Sequence, residues 1–203
     1  MKKQPYFPKI TGLVLGGGQS RRMGRDKRYL EWEGEAFVDR VCKIMSSLFG
    51  EVLLVNAKDD YDSSHLPVRL VFDKISQKGS LGGLYTGLIE SKNFLNFVVA
   101  CDMPFLKSES ISCFCSYAPS DVVVVKLLTR LQPLHGRYSK ACLPVIEKMI
   151  GQNDLKIKHL INDPSLSVHF LDEKIFDDVD PQRLSFMNIN TPADFEFARK
   201  AFS

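Results

Sequence analysis

The sequence predicts an α/β protein built on a mostly parallel sheet. Short runs rich in Val, Leu and Ile recur along the chain, among them residues 10–15 (ITGLVL), 52–55 (VLLV) and 97–100 (FVVA). Stretches whose apolar residues fall at helical spacing separate them. Strands that are apolar at nearly every position are buried on both faces, the condition of a parallel sheet covered by helices.

The elements follow in order. Residues 10–15 form the first strand, and a loop rich in Gly and Arg covers 16–28. Phe37, Val38, Val41, Ile44, Met45 and Leu48 mark a helix, with Gly50 as its stop. Residues 52–55 make a strand ending at Asn56, and 69–72 a short one ending at Asp73. A helix is expected over 82–90, then a strand over 97–100 that runs into Cys101 and Asp102. Ser108 reads as the N-cap of a short helix reaching Tyr117. Residues 121–126 (DVVVVK) are a strand, with 131–138 returning beside it. Residues 139–150 and 154–161 read as helices, the first interrupted by Pro144, and 168–171 and 186–188 as short strands. Thr191, Pro192 and Asp194 supply a cap, a proline at N1 and an acid at N3, the start of a last helix ending near Phe202. Trp32, Phe94, Phe97, Phe105 and Phe114 read as packing residues.

Composition narrows the function classes. A chain of 203 residues suits one domain, spanning 1–203. Its 44% apolar and 25% charged residues exclude disordered, collagenous and coiled-coil chains. A net charge of +3 is too small for a nucleic-acid partner gripped over the whole surface. No apolar run approaches the ~20 residues that span a bilayer, and the basic N-terminus lacks the apolar stretch of a secretory signal. Five cysteines with no C-x-x-C spacing fit reduced thiols in the cytoplasm. The four histidines show no metal-ligand spacing.

Ligands of parallel sheets bind at the carboxyl ends of strands. The residues just past those ends are Gly16, Gly17 and Gly18, then Asn56, Asp73 and Asp102. Three successive glycines cost backbone entropy and are tolerated where the chain turns sharply or approaches a ligand. Their N–H groups can form an anion-binding concavity. From Arg21 to Arg28 there are five basic residues and one acid, so the positive excess of the chain sits in this loop. Lys27 is not followed by Ser or Thr, which excludes a P-loop, and Arg21 stands where a dinucleotide fingerprint needs its third glycine. A surface loop of solvated charges and a strand-end turn at Asp102 are the plain alternatives.

The segment LGGGQSRRMGRDK (15–27) resembles the signature loop of nucleotidyltransferases, and most of all that of the molybdenum cofactor guanylyltransferase family. That family usually reads Leu-Ala-Gly-Gly, where this chain has Gly16. GSLGG (79–83), ACDMPF (100–105), QPLH (132–135) and NINTP (188–192) resemble further motifs of the family in the same order. The resemblance implies a three-layer Rossmann-like nucleotidyltransferase fold and transfer of GMP from GTP to the terminal phosphate of molybdopterin or Mo-molybdopterin, with release of pyrophosphate. Cytidylyl transfer, a sugar or polyol phosphate acceptor, or a non-catalytic nucleotide-binding protein are the alternatives. It implies Leu15, Gly16 and Gly17 as the nucleotide cradle, Asn56 and Asp73 as nucleotide contacts, and Lys27 assisted by Arg22 as the phosphate-binding charges. Asp102 becomes the ligand of Mg²⁺, which favours one or two carboxylates plus phosphate oxygens. Gly79, Gly83, Asn188 and Asn190 fall to the pterin substrate, with Asn-x-Asn tilting towards GTP over CTP. No general base is required, because the nucleophile is an oxygen already anionic at neutral pH. A reactive cofactor further implies hand-over to cofactor-insertion and chaperone proteins, with neither nucleic acid nor membrane involved.

Overall fold

The computed structural model describes residues 4–16, 31–57, 62–75 and 77–201. Ten strands and six α-helices alternate: β1 (Phe7–Leu15), β2 (Glu31–Trp32), β3 (Glu35–Ala36), α1 (Phe37–Leu48), β4 (Phe49–Asn56), β5 (Arg69–Phe72), α2 (Gly79–Glu90), β6 (Leu95–Ala100), α3 (Ser108–Cys115), β7 (Val122–Leu127), β8 (Arg130–Leu131), β9 (His135–Ser139), α4 (Leu143–Gly151), α5 (Ile157–Ile161), β10 (Val168–Leu171) and α6 (Pro192–Ala201). The main sheet runs β10-β7-β9-β6-β1-β4-β5, with β8 paired to β7. All members of that path are parallel except β9, which is antiparallel to both neighbours. The α/β expectation holds.

Alternation along the strands builds the layers. Ile10, Val14, Leu54, Val99 and Val123 face α1 and α3, where Val41, Met45, Ile111 and Phe114 meet them. Leu13, Leu15, Leu53, Val98 and Val124 face α2, α4 and α5. A third cluster closes the carboxyl end of the sheet. In it Trp32 and Phe105 meet edge to face with ring centres 4.9 Å apart, and Leu184 and Ile189 join Ala198 of the last helix. Of the five aromatic residues expected to pack, Phe94 does not. It is 60% exposed at the turn into β6.

Several boundaries differ from expectation, each for a local reason. Gly50 does not stop α1. Phe49 already adopts extended backbone and donates its N–H to Met45 O, so the helix passes into β4 without a loop. Helix α2 begins at Gly79 rather than at Gly82, and Gly79 enters it with φ +56°. Its first turn, Gly-Ser-Leu-Gly-Gly, has too little helix propensity to announce itself. Ser108 is the first helical residue and its hydroxyl donates to the Glu109 carboxylate, so Lys107 occupies the cap position. The returning strand over 131–138 splits into β8 and β9 around Pro133, which has no N–H to give a ladder. The segment 139–150 divides likewise into a 3₁₀ turn, Lys140–Cys142, and α4, with Pro144 in the first turn where it costs nothing. Residues 186–188 are not a strand. A 3₁₀ turn, Leu184–Phe186, stands there instead, its start held by the buried Asp180 carboxylate, which accepts the N–H groups of Leu184 and Ser185 at 3.2 and 2.9 Å.

Two buried polar residues in β9 have opposite solutions. Arg137 lies among apolar side chains and donates to the carbonyls of Tyr117 and Ala118 at 2.9 and 2.8 Å, satisfying acceptors beyond the end of α3. His135 is enclosed by Phe97, Phe114 and Phe186, and neither ring nitrogen has a hydrogen-bond partner among the described residues. Burial pushes its imidazole down to about 3, opposed by the charge of Asp180. A group with a lowered folded pKa stabilises above its unfolded value and loses that contribution as the pH falls. Stability is therefore expected to drop from about pH 6.5 downward, by about 1.4 kcal/mol per pH unit from this residue. Urea titrations of His135→Phe against the parent at pH 4–7 check this, and an unchanged slope would refute the assignment.

Candidate active site at the carboxyl edge of the sheet

Four parallel strands, β6, β1, β4 and β5, end side by side, and the ladder continues one residue beyond β1, β5 and β6. Gly16 N–H donates to Val55 O at 2.9 Å, Asp73 N–H to Asn56 O at 2.9 Å, and Cys101 N–H to Leu15 O at 3.1 Å. By register Cys101, Gly16, Asn56 and Phe72 stand level on adjacent strands, about 4.8 Å from one strand to the next, and Asp102 and Asp73 each follow one residue further along the same edge. This is the convergence expected from the strand ends. Gly17, Gly18, Arg22 and Lys27 lie outside the described residues.

Asn56 is fully buried, and neither its Oδ1 nor its Nδ2 has a hydrogen-bond partner among the described residues. An unmade bond of this kind costs about 1–3 kcal/mol. Such a cost persists where a group is held for a ligand. An amide has both a donor and an acceptor to offer, as a base edge requires. Asp73 Oδ1 is likewise buried and unpaired, and burial raises the Asp73 carboxyl, with Thr86 opposing through a hydrogen bond. Gly16 makes room for this arrangement. A Cβ there would lie 2.0 Å from Asn56 Oδ1, so this orientation of Asn56 needs glycine at 16. Gly83, on α2, borders the same corner, where its Cβ would stand 3.5 Å from Leu15 and 3.8 Å from Asp73 Oδ1.

Asn56→Ala separates a structural role from a binding one. It removes two unpaired buried atoms at the cost of a small cavity, so folding stability is expected to change by less than about 1 kcal/mol. Affinity for GTP, the nucleotide that the sequence resemblance implies, is expected to fall at least about tenfold, the worth of one good hydrogen bond. Calorimetric titration and urea unfolding of the same variant check both. Unchanged GTP affinity would remove Asn56 from the site.

Asp102 stands at the turn after β6. Its backbone O accepts Ile189 N–H at 2.9 Å, and its Oδ1 accepts Asn188 Nδ2 at 2.6 Å. Asn188 and Asn190 belong to the segment before α6, fixed by reciprocal capping. Asp194 Oδ2 accepts the N–H groups of Asn190 and Thr191 at 2.9 and 2.8 Å, and Thr191 Oγ1 accepts Asp194 N–H at 3.1 Å. The two asparagines open on a cavity of about 550 Å³ whose other walls include Met103, Gln132, Pro133 and Asp194. Gly79 does not line that cavity. It lies on the wall of a larger neighbouring groove, so the four residues expected at the pterin substrate occupy three places rather than one.

Sequence reasoning missed Asp180. Besides the two N–H groups it accepts, its carboxylate meets Lys107 Nζ at 3.2 Å, and Lys107 N–H donates to Ser185 Oγ at 3.0 Å. The turn that leads into Asn188 is thereby tied to the segment that leaves Asp102. No motif marks this aspartate, and only its burial within the fold reveals it.

The chain is similar to known proteins. Residues 12–167 match the MobA-like NTP transferase domain. The molybdenum cofactor guanylyltransferase of Desulfosudis oleivorans is 35% identical over 195 residues, covering 95% of both chains. That of Syntrophotalea carbinolica is 28% identical over 94% of this chain and 90% of its own. The crystal structure of molybdopterin-guanine dinucleotide biosynthesis protein A from Archaeoglobus fulgidus superimposes with a TM-score of 0.82 at 26% identity, covering 95% of this chain and 98% of that one. With a domain match over most of its length and relatives that align nearly end to end, the chain belongs to the MobA-like NTP transferase family.

Proposed function

We propose that this chain is a molybdenum cofactor guanylyltransferase, a single nucleotidyltransferase domain over residues 1–203 that transfers GMP from GTP to the terminal phosphate of molybdopterin or Mo-molybdopterin. The observation that carries the reading is the row of strand ends, with Asn56 holding an unpaired buried amide beside Gly16 and Asp73, and Asp102 tied to Asn188. Relatives bearing that enzyme name align over nearly the whole chain.

In this reading Leu15, Gly16 and Gly17 cradle the nucleotide through their backbone, and Asn56 and Asp73 contact it. An oxygen of the acceptor phosphate attacks the α-phosphorus of GTP. The new O–P bond forms as the bond to the β-phosphate oxygen breaks, and pyrophosphate leaves with that electron pair. Positioning and positive charge do this work, since two anions must meet. Lys27, with Arg22, supplies charge at the phosphates. Asn188 fixes the orientation of the Asp102 carboxylate, and Asn190 faces the acceptor, while Gly83 borders the nucleotide corner and Gly79 the neighbouring groove. The Asp102 carboxylate suits Mg²⁺, which takes its remaining ligands from phosphates and water. Asp102 would hold that ion, whose charge would offset the phosphates. No helix among the described residues is long and apolar enough to cross a membrane. We place the enzyme in the cytoplasm, where the product passes to cofactor-insertion and chaperone proteins.

The test is purified protein with GTP, Mg²⁺ and molybdopterin, followed by pyrophosphate release and chromatography of the pterin product. A molybdopterin guanine dinucleotide is expected, with CTP and UTP competing poorly. Absence of turnover with every pterin preparation, or tighter binding of CTP than of GTP, would overturn it.

A further inference from the structure

A second groove, of about 1320 Å³, lies at the carboxyl ends of β7 and β10. Strand β10 is four strands from β1 in the sheet, some 19 Å away at about 4.8 Å per strand, and the groove reaches from there to the start of α2, where Lys78, Gly79 and Ser80 line it. Its construction is local. Strand β7 turns back into β8 through Leu128, whose φ is +53° and whose N–H donates to Glu173 Oε2 at 2.7 Å. That turn places Lys126 and Arg130 on the rim. Strand β10 supplies Phe170, and α5 supplies Ile157 and Lys158 from the opposite side.

Two properties stand out. The first is charge. Lys78, Lys126, Arg130 and Lys158 line the groove and no acidic residue does. Lys78 Nζ donates to the neutral Asn153 Oδ1 at 3.1 Å, and none of the other three pairs with an acidic side chain among the described residues. The second is exposed apolar surface. Leu131, Leu134 and Ile157 form a floor, Phe170 is 48% exposed beside them, and Leu128 at the hairpin tip is 85% exposed.

A small anion would not fit these properties well. Small-ligand pockets measure about 300–1,000 Å³ and enclose most of their ligand. This groove exceeds that range and its cations are exposed rather than converging in a buried site. Unpaired cations around exposed aromatic and aliphatic groups, with Arg among them, are the composition of a surface that another protein covers.

We propose that this groove docks an acidic segment of a partner protein, one in which Asp or Glu alternates with large apolar side chains. The carboxylates meet Lys126, Arg130 and Lys158, and the apolar groups rest on Phe170 and Leu131. Arg130, Leu131, Pro133 and Leu134 line both this groove and the cavity of Asn188 and Asn190, so the docked segment lies one loop from that cavity. The proposal rests on charge and shape and stands whichever nucleotide or acceptor the enzyme uses.

The experiment is fluorescence anisotropy of a fluorescein-labelled peptide alternating Glu with Phe and Leu, titrated with the full chain at low salt. Saturable binding is expected, weakened about tenfold or more by Lys126→Glu combined with Lys158→Glu, and weakened again by salt. Phe170→Ser is expected to weaken it at least about threefold. GTP affinity should be unchanged in all of these variants. If the double reversal fails to fold by circular dichroism, Lys126→Ala and Lys158→Ala singly serve, each expected to lower affinity about threefold. The proposal is overturned if the peptide does not bind, if the charge variants bind it as the parent does, or if inorganic pyrophosphate or an all-Glu peptide competes as strongly as the mixed peptide. The last result would mark a site for small or purely charged anions.

Discussion

Asp102→Asn is expected to lower turnover in Mg²⁺ by about a hundred- to a thousandfold while the protein keeps its fold. The substitution is chosen for what it preserves. Asparagine retains an oxygen that can accept from Asn188 Nδ2, the bond that measures 2.6 Å in the parent. It retains the backbone O that accepts Ile189 N–H. It removes only the charge that would hold a divalent ion, and loss of a charge aimed at a transferring phosphoryl group costs about that much in rate. Asp102→Ala removes the charge and the Asn188 contact together. Equal losses in both variants assign the effect to charge. An active Asn variant beside an inactive Ala variant would instead make residue 102 a support for Asn188. Pyrophosphate release measures the rate and circular dichroism the fold.

Asp180→Ala is expected to be the most destabilising single change near the site, by roughly 3 kcal/mol. The aspartate is fully buried, and its removal strands the N–H groups of Leu184 and Ser185 and deprives Lys107 of its partner. For a chain of this length that corresponds to a fall in Tm of about 10 °C. Lys107→Ala should cost less, about 1 kcal/mol, because both backbone donors keep their acceptor. Turnover should fall in Asp180→Ala even below its melting range, since the turn it holds leads into Asn188. Urea unfolding and calorimetry measure the stability. A change below about 0.5 kcal/mol would mean that the turn is held by its apolar packing alone.

The parts of the fold that could be read from the sequence are those where one physical term dominates. Residues 69–72 and 168–171 are strands to the residue, because short segments carrying Leu, Val and Phe between turns leave little else for the chain to do. The spacing of Phe37, Val41, Met45 and Leu48 gives α1 its full extent, since one face is apolar throughout. The start of α6 could be read because Thr191 and Asp194 satisfy each other's backbone groups locally. The row of Gly16, Asn56, Asp73 and Asp102 followed from the strand ends alone.

What escaped depends on partners distant in the chain. Gly50 carries a stop signal, but pairing of β4 with β1 draws the backbone straight into extended conformation. Residues 186–188 carry a strand-like pattern, overruled by the carboxylate of Asp180. The return of 131–138 beside β7 is legible from the sequence, but the insertion of β9 between β7 and β6, antiparallel to both, is not recorded in its composition. The bond between Asn188 and Asp102 joins residues 86 positions apart. Its participants stand in motifs, and their contact exists only once the sheet and the capped segment before α6 have formed.

A crystal structure with GTP and Mg²⁺ bound tests the central claim most directly. The claim places guanine against Asn56 and Asp73 and the triphosphate between Asp102 and Lys27. The expected result is base density within hydrogen-bond distance of the Asn56 carboxamide, with the Lys27 ammonium and the Asp102 carboxylate both turned towards the phosphates. A nucleotide seated elsewhere, or Lys27 on the face of the sheet away from Asp102, would contradict it.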